Sequence, residues 1–217
     1  MDGPAGAGKG TVAEEVAASL DFVHFDSGAL YRTIGIHFYE SIHRLPTEEE
    51  LMAALSEMHI EVKPKGNSFS VFLEGQDITD RIYRHELSEY AAFVSQFVPV
   101  RKFVEAQTRS FSEHFPMVVD GRDTTTIIFP DATLKVYLDA NLDVRTERRH
   151  EQLMERGQDV SFEQLKADVE KRDTADMAKP YGALVRAPDA FYIDTSHLSI
   201  PEVTAMILSA YHSLPTS

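Results

Sequence analysis

Residues 3–11 carry the strongest signal in this chain and read Gly3-Pro4-Ala5-Gly6-Ala7-Gly8-Lys9-Gly10-Thr11. The spacing of Gly3, Gly8 and Lys9 matches the glycine-rich loops that hold nucleotide phosphates. Glycine lets the chain turn tightly and bring its N–H groups close to phosphate oxygens, and the lysine adds a positive charge. A helix that begins at such a loop points its positive end at the same anion. The stretch therefore predicts binding of ATP or GTP; a glycine-rich turn that happens to carry a lysine is the alternative.

The motif departs from its common form on both sides. Gly10 occupies the position where serine or threonine is usual, and the hydroxyl comes one residue later at Thr11. Only Met1 and Asp2 stand before Gly3, although such a loop normally follows a buried central strand. We expect the natural start to lie upstream; the alternative is a strand reduced to a stub.

Composition limits the class of protein. The chain has 217 residues, no cysteine and a formal net charge of −14 at pH 7. This length fits an α/β domain with small inserted lobes, and a chain without cysteine has no disulfide framework. So acidic a chain is not expected to bind nucleic acid. Since no basic, apolar leader precedes the loop and no run reaches the length of a membrane span, we expect a cytoplasmic enzyme without a membrane partner.

Strand and helix patterns alternate along most of the chain. Short apolar runs predict strands at 22–25, 117–120, 134–139 and 190–193. Helical periodicity and capping motifs predict helices over 11–20, 29–42, 48–58, 81–97 and 99–114, followed by three whose caps are Asn141, Ser161 and Ser199. This alternation predicts a mostly parallel sheet, with ligands at the carboxyl ends of its strands.

Residues 60–80 have a different character. Apolar and polar residues alternate at period two over 60–62 and 69–73, and Lys65-Gly66-Asn67 between them is typical of a turn. The segment therefore predicts an antiparallel hairpin inserted into the α/β pattern.

Polar and cationic side chains follow two of the predicted strands. Ser27 comes after the strand at 22–25, with Tyr31 and Arg32 in the first turns of the next helix. Arg32 is suited to a two-pronged contact with a phosphate, although a surface arginine on a capped helix is the alternative. Arg122, next to Asp123, follows the strand at 117–120, where a cation can stabilise charge during phosphoryl transfer. An ordinary polar loop with an ion pair is the alternative there.

Two helical segments each place several charged side chains on one face. The first set is Arg145, Arg148 and Arg149, and the second is Arg172, Asp176 and Lys179. Clustered cations repel unless an anion joins them, and the second set could offer cations to phosphates and a carboxylate to a sugar. A solvated face of ion pairs is the alternative for both sets. The nine histidines show no ligand spacing, so Mg²⁺ is expected only as the partner of nucleotide phosphates.

These motifs together resemble the bacterial cytidylate kinase family, within the nucleoside monophosphate kinases. The matching segments occur in family order across nearly the whole chain: Gly3–Thr11, Asp26–Arg32, Pro99–Arg101, Asp120–Asp123, Phe129–Asp131 and Arg172–Asp176. The Gly10-Thr11 ending is what monophosphate kinases typically show.

The resemblance implies a P-loop kinase core with a five-stranded parallel sheet flanked by helices. The core would comprise 1–58 and 91–217, and a small antiparallel-β and helical insert at 59–90 would bind the monophosphate nucleotide. A short lid would lie at about 149–161. The family is commonly monomeric, so we expect a monomer.

The resemblance also implies a reaction, in which ATP with Mg²⁺ phosphorylates CMP or dCMP. The residues it assigns to ATP are Gly3, Pro4, Ala5, Gly6, Ala7, Gly8, Lys9, Gly10 and Thr11. Those assigned to the monophosphate substrate are Ser27, Tyr31, Arg32, Arg101, Arg122, Asp123, Arg172, Asp176 and Lys179. Those assigned to catalysis are Lys9, Arg122, Arg148, Arg149 and Arg172, with Arg145, Arg148 and Arg149 as arginines of the lid.

Three positions depart from the family pattern. Ala92 replaces a serine that helps to read the base, Lys179 replaces an arginine, and Thr125 replaces a glycine. Loss of a buried hydrogen bond can change specificity by a large factor. Two alternatives therefore remain at this point: a monophosphate kinase with a shifted base preference, and a nucleotide-binding module that does not catalyse.

Overall fold

A computed structural model describes residues 1–84, 86–155, 157 and 160–215. The chain forms two compact units, one of Met1–Ser19 with Asp120–Ser217 and the other of Leu20–Val119. Helices and strands alternate along it, as the α/β class requires. No helix in the described ranges combines the length and the apolar character needed to cross a membrane.

The elements lie close to the predicted segments. The helices are α1 (Lys9–Leu20), α2 (Gly28–Ser41), α3 (Glu48–Glu57), α4 (Leu87–Val94), α5 (Val98–Ser112), α6 (Leu142–Glu155), α7 (Phe162–Met177) and α8 (Ile200–His212). The strands are β1 (Val23–Asp26), β2 (Ile60–Lys65), β3 (Ser68–Leu73), β4 (Gln76–Asp77), β5 (Met117–Asp120), β6 (Val136–Asp139) and β7 (Phe191–Asp194).

In the first unit, β6 and β7 pair in parallel, with Val136 opposite Phe191. The residues before the phosphate loop join them. Asp2 N–H donates to Val136 O, and Asp2 O accepts from Leu138 N–H, each at 2.9 Å. Gly121 N–H donates to Met1 O at 3.0 Å. Met1 and Asp2 are therefore hydrogen-bonded along both edges, as residues of a central strand are.

The Asp2 carboxylate is fully buried and ties the loop to the segment after Arg122. It accepts hydrogen bonds from the N–H groups of Thr124 and Thr125, at 2.8 and 2.7 Å, and from their hydroxyls, at 2.5 and 2.6 Å. Such bonds satisfy a charge that would otherwise be costly to bury. The segment continues as a π-helical turn, Thr124–Ile128. Thr125 thus uses its side chain in a way that glycine cannot.

In the second unit, β1 pairs with β5, while β2, β3 and β4 form an antiparallel sheet. Ile60 lies opposite Leu73 and Lys65 opposite Ser68. The turn between them is made by Gly66 at φ +59°. The hairpin predicted from the period-two pattern is confirmed.

Local capping motifs also form as predicted. Thr47 and Glu50 make a reciprocal capping box, in which Thr47 Oγ1 accepts from Glu50 N–H at 3.2 Å and Thr47 N–H donates to the Glu50 carboxylate at 2.8 Å. Asn141 Oδ1 accepts from Asp143 N–H at 2.9 Å at the start of α6. Gly157 follows that helix at φ +73°.

The helix predicted over 81–97 is wrong in its first half. Of the described residues before Leu87, 81–83 and 86 lie in turns, and Arg84 N–H donates to Arg81 O at 3.4 Å. Ile78 and Ile82 are almost completely buried within these turns. Burial of their side chains is a tertiary effect that overrides helical spacing.

Gly35 lies where α2 packs closely on α4 in the second unit. A Cβ built on Gly35 would lie 2.8 Å from the Cβ of Tyr90, a distance that real side chains do not adopt. We expect Gly35→Ala to lower the free energy of unfolding by about 1–3 kcal/mol, because overpacking forces the helices apart. Urea unfolding measures the change.

The matched control is Gly10→Ala, because Gly10 is also helical but a Cβ added to it would meet nothing within 4 Å. This substitution is expected to keep or raise stability by up to about 1 kcal/mol. Equal effects of the two substitutions would contradict the packing argument.

Candidate functional site

The phosphate loop adopts a conformation that its glycines permit. Gly3, Gly6 and Gly8 have φ values of +147°, +81° and +87°, a region that side chains disfavour. A Cβ on Gly3 would lie 1.9 Å from Leu138 O, and one on Gly6 would lie 2.9 Å from the Cβ of Arg145. The loop therefore lies directly against β6 and α6. Helix α1 begins at its end, as the motif predicts.

Lys9 is buried inside this loop. Its side chain folds back so that Nζ donates to Pro4 O at 2.7 Å, and the residue is only 6% exposed. Burial lowers the pKa of Lys9 to about 7, with the positive charge of Arg122 adding to the effect and Asp120 opposing it. The ammonium group thus lies in a place where a bound anion would stabilise it strongly.

Arg122, Asp176 and Lys179 form one connected cluster in the first unit. The Asp176 carboxylate accepts from Arg122 Nε at 3.0 Å and from Lys179 Nζ at 2.7 Å. Burial acts to raise the pKa of Asp176, but the charges of Arg122 and Lys179 outweigh it and hold the pKa below its usual range. Since α7 ends at Met177, Lys179 lies beyond the helix and not on the helical face that its spacing suggested.

Two further predicted residues lie near this cluster in sequence. Asp123 is buried, and its carbonyl accepts from Ile127 N–H at 2.9 Å, at the start of the π-helical turn. Arg172 is exposed on α7, and its charge acts on the pKa values of both Lys9 and Asp176. The structure therefore brings Arg172 and Arg122 into the electrostatic field of the loop.

Arg145 has a different place from the one its spacing predicted. It does not join Arg148 and Arg149 in a shared set but is buried. Its guanidinium donates to Ala5 O at 3.0 Å and to the Asp173 carboxylate at 2.5 Å. Arg145 therefore supports the loop through its bond to Ala5 O and is not an arginine of a lid.

Arg148 and Arg149 lie on α6 with separate partners. Arg148 donates to the backbone oxygen and the hydroxyl of Thr195, at 2.7 and 3.0 Å. Arg149 donates to the Gln152 amide oxygen at 3.3 Å. Of the lid predicted at 149–161, residues 156, 158 and 159 lie outside the described residues.

The remaining predicted residues belong to the second unit. Arg32 Nη1 donates to Asp26 Oδ2 at 2.9 Å, and its guanidinium lies 5.4 Å from the ring centre of Tyr83. Gly28 N–H donates to the other oxygen of Asp26 at 2.8 Å, and Ser27 between them is buried. The end of β1 and the start of α2 thus hold Arg32 in a defined position.

Arg101 is buried in α5 and stacks near Tyr31, with its guanidinium 5.6 Å from the ring centre. Arg101 Nη1 donates to Ser95 O at 3.1 Å, and Ser95 Oγ donates to Ala92 O at 2.9 Å. Tyr31 on α2 therefore lies close to Arg101 on α5, which their distant positions in the sequence do not show.

Three functional candidates were missed by the sequence reasoning. Thr195 is buried, and its Oγ1 lies 3.2 Å from Ala7 O in the loop. Its signal is its position directly after β7, at a strand end. Asp2 directly precedes the loop but bonds to Thr124 and Thr125, and Asp173 reaches Ala5 from α7. No spacing rule points to either role.

Within the described ranges, no three or more His, Cys, Asp or Glu side chains gather in a group that could hold a metal ion. Oxygen ligands of the kind that Mg²⁺ prefers do occur at the loop, where the exposed Thr11 hydroxyl lies in the first turn of α1.

Comparison with known proteins agrees with this geometry. The family model for cytidylate kinase matches residues 1–213. The chain belongs to the cytidylate kinase family. The cytidylate kinase of Thermodesulfovibrio yellowstonii is 41% identical over 96% of this chain and 94% of that protein. Cytidylate kinases of Shewanella loihica and Bacillus cereus are each 38% identical over 96% of this chain, and over 91% and 93% of their own lengths.

A solved structure also shares the fold. A crystal structure of an uncharacterized protein from Eubacterium ventriosum aligns with a TM-score of 0.52 over 98% of this chain and 96% of that chain. With 13% sequence identity, this match concerns the fold alone.

Two departures from the family pattern have a structural explanation. Lys179 still reaches Asp176, so the ion pair survives with fewer donors than arginine offers. Thr125 donates two hydrogen bonds to Asp2, from its N–H group and from its hydroxyl. Nothing in the structure shows a reason for Ala92.

The buried ammonium of Lys9 makes the stability of the ligand-free protein depend on pH. Because its folded-state pKa of about 7 lies below the ordinary value of 10.5, the unfolded chain binds more protons between these pH values. The contribution of Lys9 to the free energy of unfolding should therefore rise from about pH 7 up to about pH 10.5. Urea unfolding of the wild type and of Lys9→Met, at several pH values, measures this contribution as their difference. A difference that stays constant across this range would contradict the assignment.

Proposed function

We propose that this protein transfers the γ-phosphoryl group of ATP to CMP, and also to dCMP, giving ADP and the nucleoside diphosphate. The observation that carries the proposal is the buried Lys9 inside a glycine-lined phosphate loop, in a chain that belongs to the cytidylate kinase family. The cytidylate kinases that this chain matches over nearly its full length support the choice of substrate.

ATP is the ligand that we assign to residues 3–11. The N–H groups of the loop and the first turn of α1 would surround the β- and γ-phosphates, with Lys9 as the cation. Mg²⁺ would be held by the phosphates and the Thr11 hydroxyl, and it neutralises charge as the phosphoryl group moves. The low pKa of Lys9 supports this role, because a phosphate beside it would restore its protonation.

We assign the parts of the monophosphate substrate to separate sets of residues. We assign its phosphate to Arg32, Arg122 and Arg172, with Ser27 and Tyr31 beside Arg32. Its sugar is assigned to Asp176 and Lys179, and its base to Arg101 and Asp123. The ionised state of Asp176 supports its role, because a carboxylate accepts hydrogen bonds from sugar hydroxyls.

Catalysis in this proposal is electrostatic. A phosphate oxygen of CMP is already a nucleophile, so no strong general base is required. Lys9, Arg122, Arg148, Arg149 and Arg172 would hold the two nucleotides in line and stabilise the charge of the transferring group. For Arg148, this role requires that its guanidinium also contact the phosphates while it remains bonded to Thr195, or that it give up its hydrogen bonds to Thr195.

The finer architecture of the family is part of the proposal. We propose that β1, β5, β6 and β7, together with the residues around the bridge at Asp2, are the five strands of the family's parallel sheet. We assign the core to 1–58 and 91–217, the insert that binds the monophosphate to 59–90 and a lid to about 149–161. The protein is proposed to act as a monomer.

An assay of ADP production tests the reaction, with CMP, dCMP, UMP, AMP and GMP compared as acceptors in the presence of ATP and Mg²⁺. We expect CMP and dCMP to give the highest kcat/KM. If another monophosphate gives the highest kcat/KM, the preference for cytosine is wrong, and the substitution at Ala92 is the first position to examine. If no monophosphate raises ADP production above background ATP hydrolysis, the proposed kinase activity is wrong.

Lys9→Met tests the proposed role of the loop. We expect kcat to fall by roughly 10²–10³-fold, because a charge that stabilises the transferring phosphoryl group is lost. Lys166→Met is the control, since Lys166 is a partly exposed lysine on α7 whose ion pair is with Asp143 on α6. A Lys9→Met enzyme that keeps the wild-type kcat would contradict the assignment.

A further inference from the structure

A buried ion pair holds the middle of the phosphate loop. Ala5 O accepts from Arg145 Nη1 at 3.0 Å, and Ala5 N–H donates to Asp173 Oδ1 at 3.4 Å. Arg145 Nη1 also donates to Asp173 Oδ2 at 2.5 Å. Both charged side chains are only 9% exposed. Both polar groups of Ala5 are therefore engaged by the same Arg–Asp pair.

The pair is itself oriented by the elements that carry it. Arg145 lies on α6, and its Nε donates to Ala140 O at 2.9 Å, just before that helix. Asp173 lies on α7, which packs against α6. The next residue of the loop, Gly6, approaches the backbone of α6 so closely that a Cβ would lie 2.8 Å from Arg145 O. The loop thus has no room to turn Ala5 toward another partner on this side.

Such an arrangement is not explained by stability alone. Burying two charges removes their hydration, so a buried pair contributes little net stability compared with apolar side chains of the same size. What it supplies is direction, because a guanidinium and a carboxylate accept only certain geometries. A loop made largely of glycine has many conformations open to it and gains most from such a constraint.

We propose that Arg145 and Asp173 are positioning residues for ATP binding. They hold Ala5 so that its N–H points to Asp173 and away from the phosphates, which leaves the N–H groups from Gly6 onward to face the ligand. This inference rests on the proposed function for the identity of the ligand. Neither residue touches the nucleotide, so their effect passes through the shape of the loop.

The test compares Asp173→Asn with a matched control. Asp173→Asn keeps the shape of the side chain but weakens the bond to Ala5 and removes the charge that pairs with Arg145. Lys166→Gln breaks the ion pair between Lys166 and Asp143, which also joins α6 and α7 but is exposed and does not reach the loop. Both variants are measured for binding of ATP–Mg²⁺ by titration calorimetry, and for KM of ATP and of CMP.

We expect Asp173→Asn to weaken ATP binding and raise its KM roughly tenfold, since small displacements of binding groups have large effects. The KM for CMP should stay within about twofold of the wild type, and Lys166→Gln should leave all three values unchanged. A purely structural role would reduce the active fraction, and so kcat, without changing the KM for ATP. That result, or equal effects of the two variants, would overturn the proposal.

The single variant could fail to fold because it leaves the buried charge of Arg145 without its partner. The double variant Arg145→Gln with Asp173→Asn avoids this problem, because it removes both charges. Its effect on ATP binding should equal that of the single variant, since the two residues act as one unit. Amide hydrogen exchange of the wild type gives a measurement that needs no variant. Ala5 N–H should be protected without ligand and unchanged by ATP, whereas Gly6 and Gly8 gain protection; an unprotected Ala5 would reject the proposal.

These readouts separate the two proposals. If ATP binds but no monophosphate is phosphorylated, the proposed function fails while the binding comparison still decides the role of Arg145 and Asp173. If the wild type does not bind ATP, the proposed function fails, and the positioning of the loop for ATP fails with it. If CMP is phosphorylated but Asp173→Asn binds ATP like the wild type, only the positioning role is wrong.

Discussion

The burial of the Lys9 ammonium is the constraint on which the rest of the first unit depends. A charge removed from water lowers its own pKa unless anions or dipoles surround it, and here the counter-charges of Asp2 and Asp120 only partly compensate. The ammonium donates a hydrogen bond to Pro4 O, a carbonyl of the loop itself. A nucleotide phosphate would complete this environment. The loop is thus built around a charge whose natural partner is an anionic ligand.

Buried side chains from several elements hold this loop through hydrogen bonds. Asp2 connects it to the π-helical turn, Arg145 and Asp173 hold Ala5, and Thr195 lies against Ala7 O. Each of these groups is buried, and each makes several hydrogen bonds. Because glycine has many accessible conformations, the surrounding elements must select one of them. The support explains why residues remote from the motif matter to it.

The acidic charge of the chain is compatible with binding polyanions because carboxylates accompany the cations that we assign to the nucleotides. Asp26 binds Arg32, while Asp176 binds both Arg122 and Lys179. These pairs hold arginines in place within a chain of net charge −14. A phosphate that approaches such a cation finds it already oriented, which reduces the entropy lost on binding. The spacing of Asp176 and Lys179 is also typical of ion pairs on a solvated helix surface. Their pairing is therefore compatible with either interpretation of the sequence, and it does not argue against a binding role.

Local sequence determined the features whose causes are local: the phosphate loop with its helix, the hairpin around Gly66, and the capping box at Thr47. Their chemistry lies within a few residues, in glycine φ angles, period-two alternation and cap hydrogen bonds. Tertiary structure decided the rest. It replaced the first half of the helix predicted over 81–97 with turns that bury Ile82, and it turned Arg145 from an arginine of a lid into a support of the loop. The reason is physical, because the partner that gives Arg145 its place, Asp173, lies on another helix and only packing brings the two together.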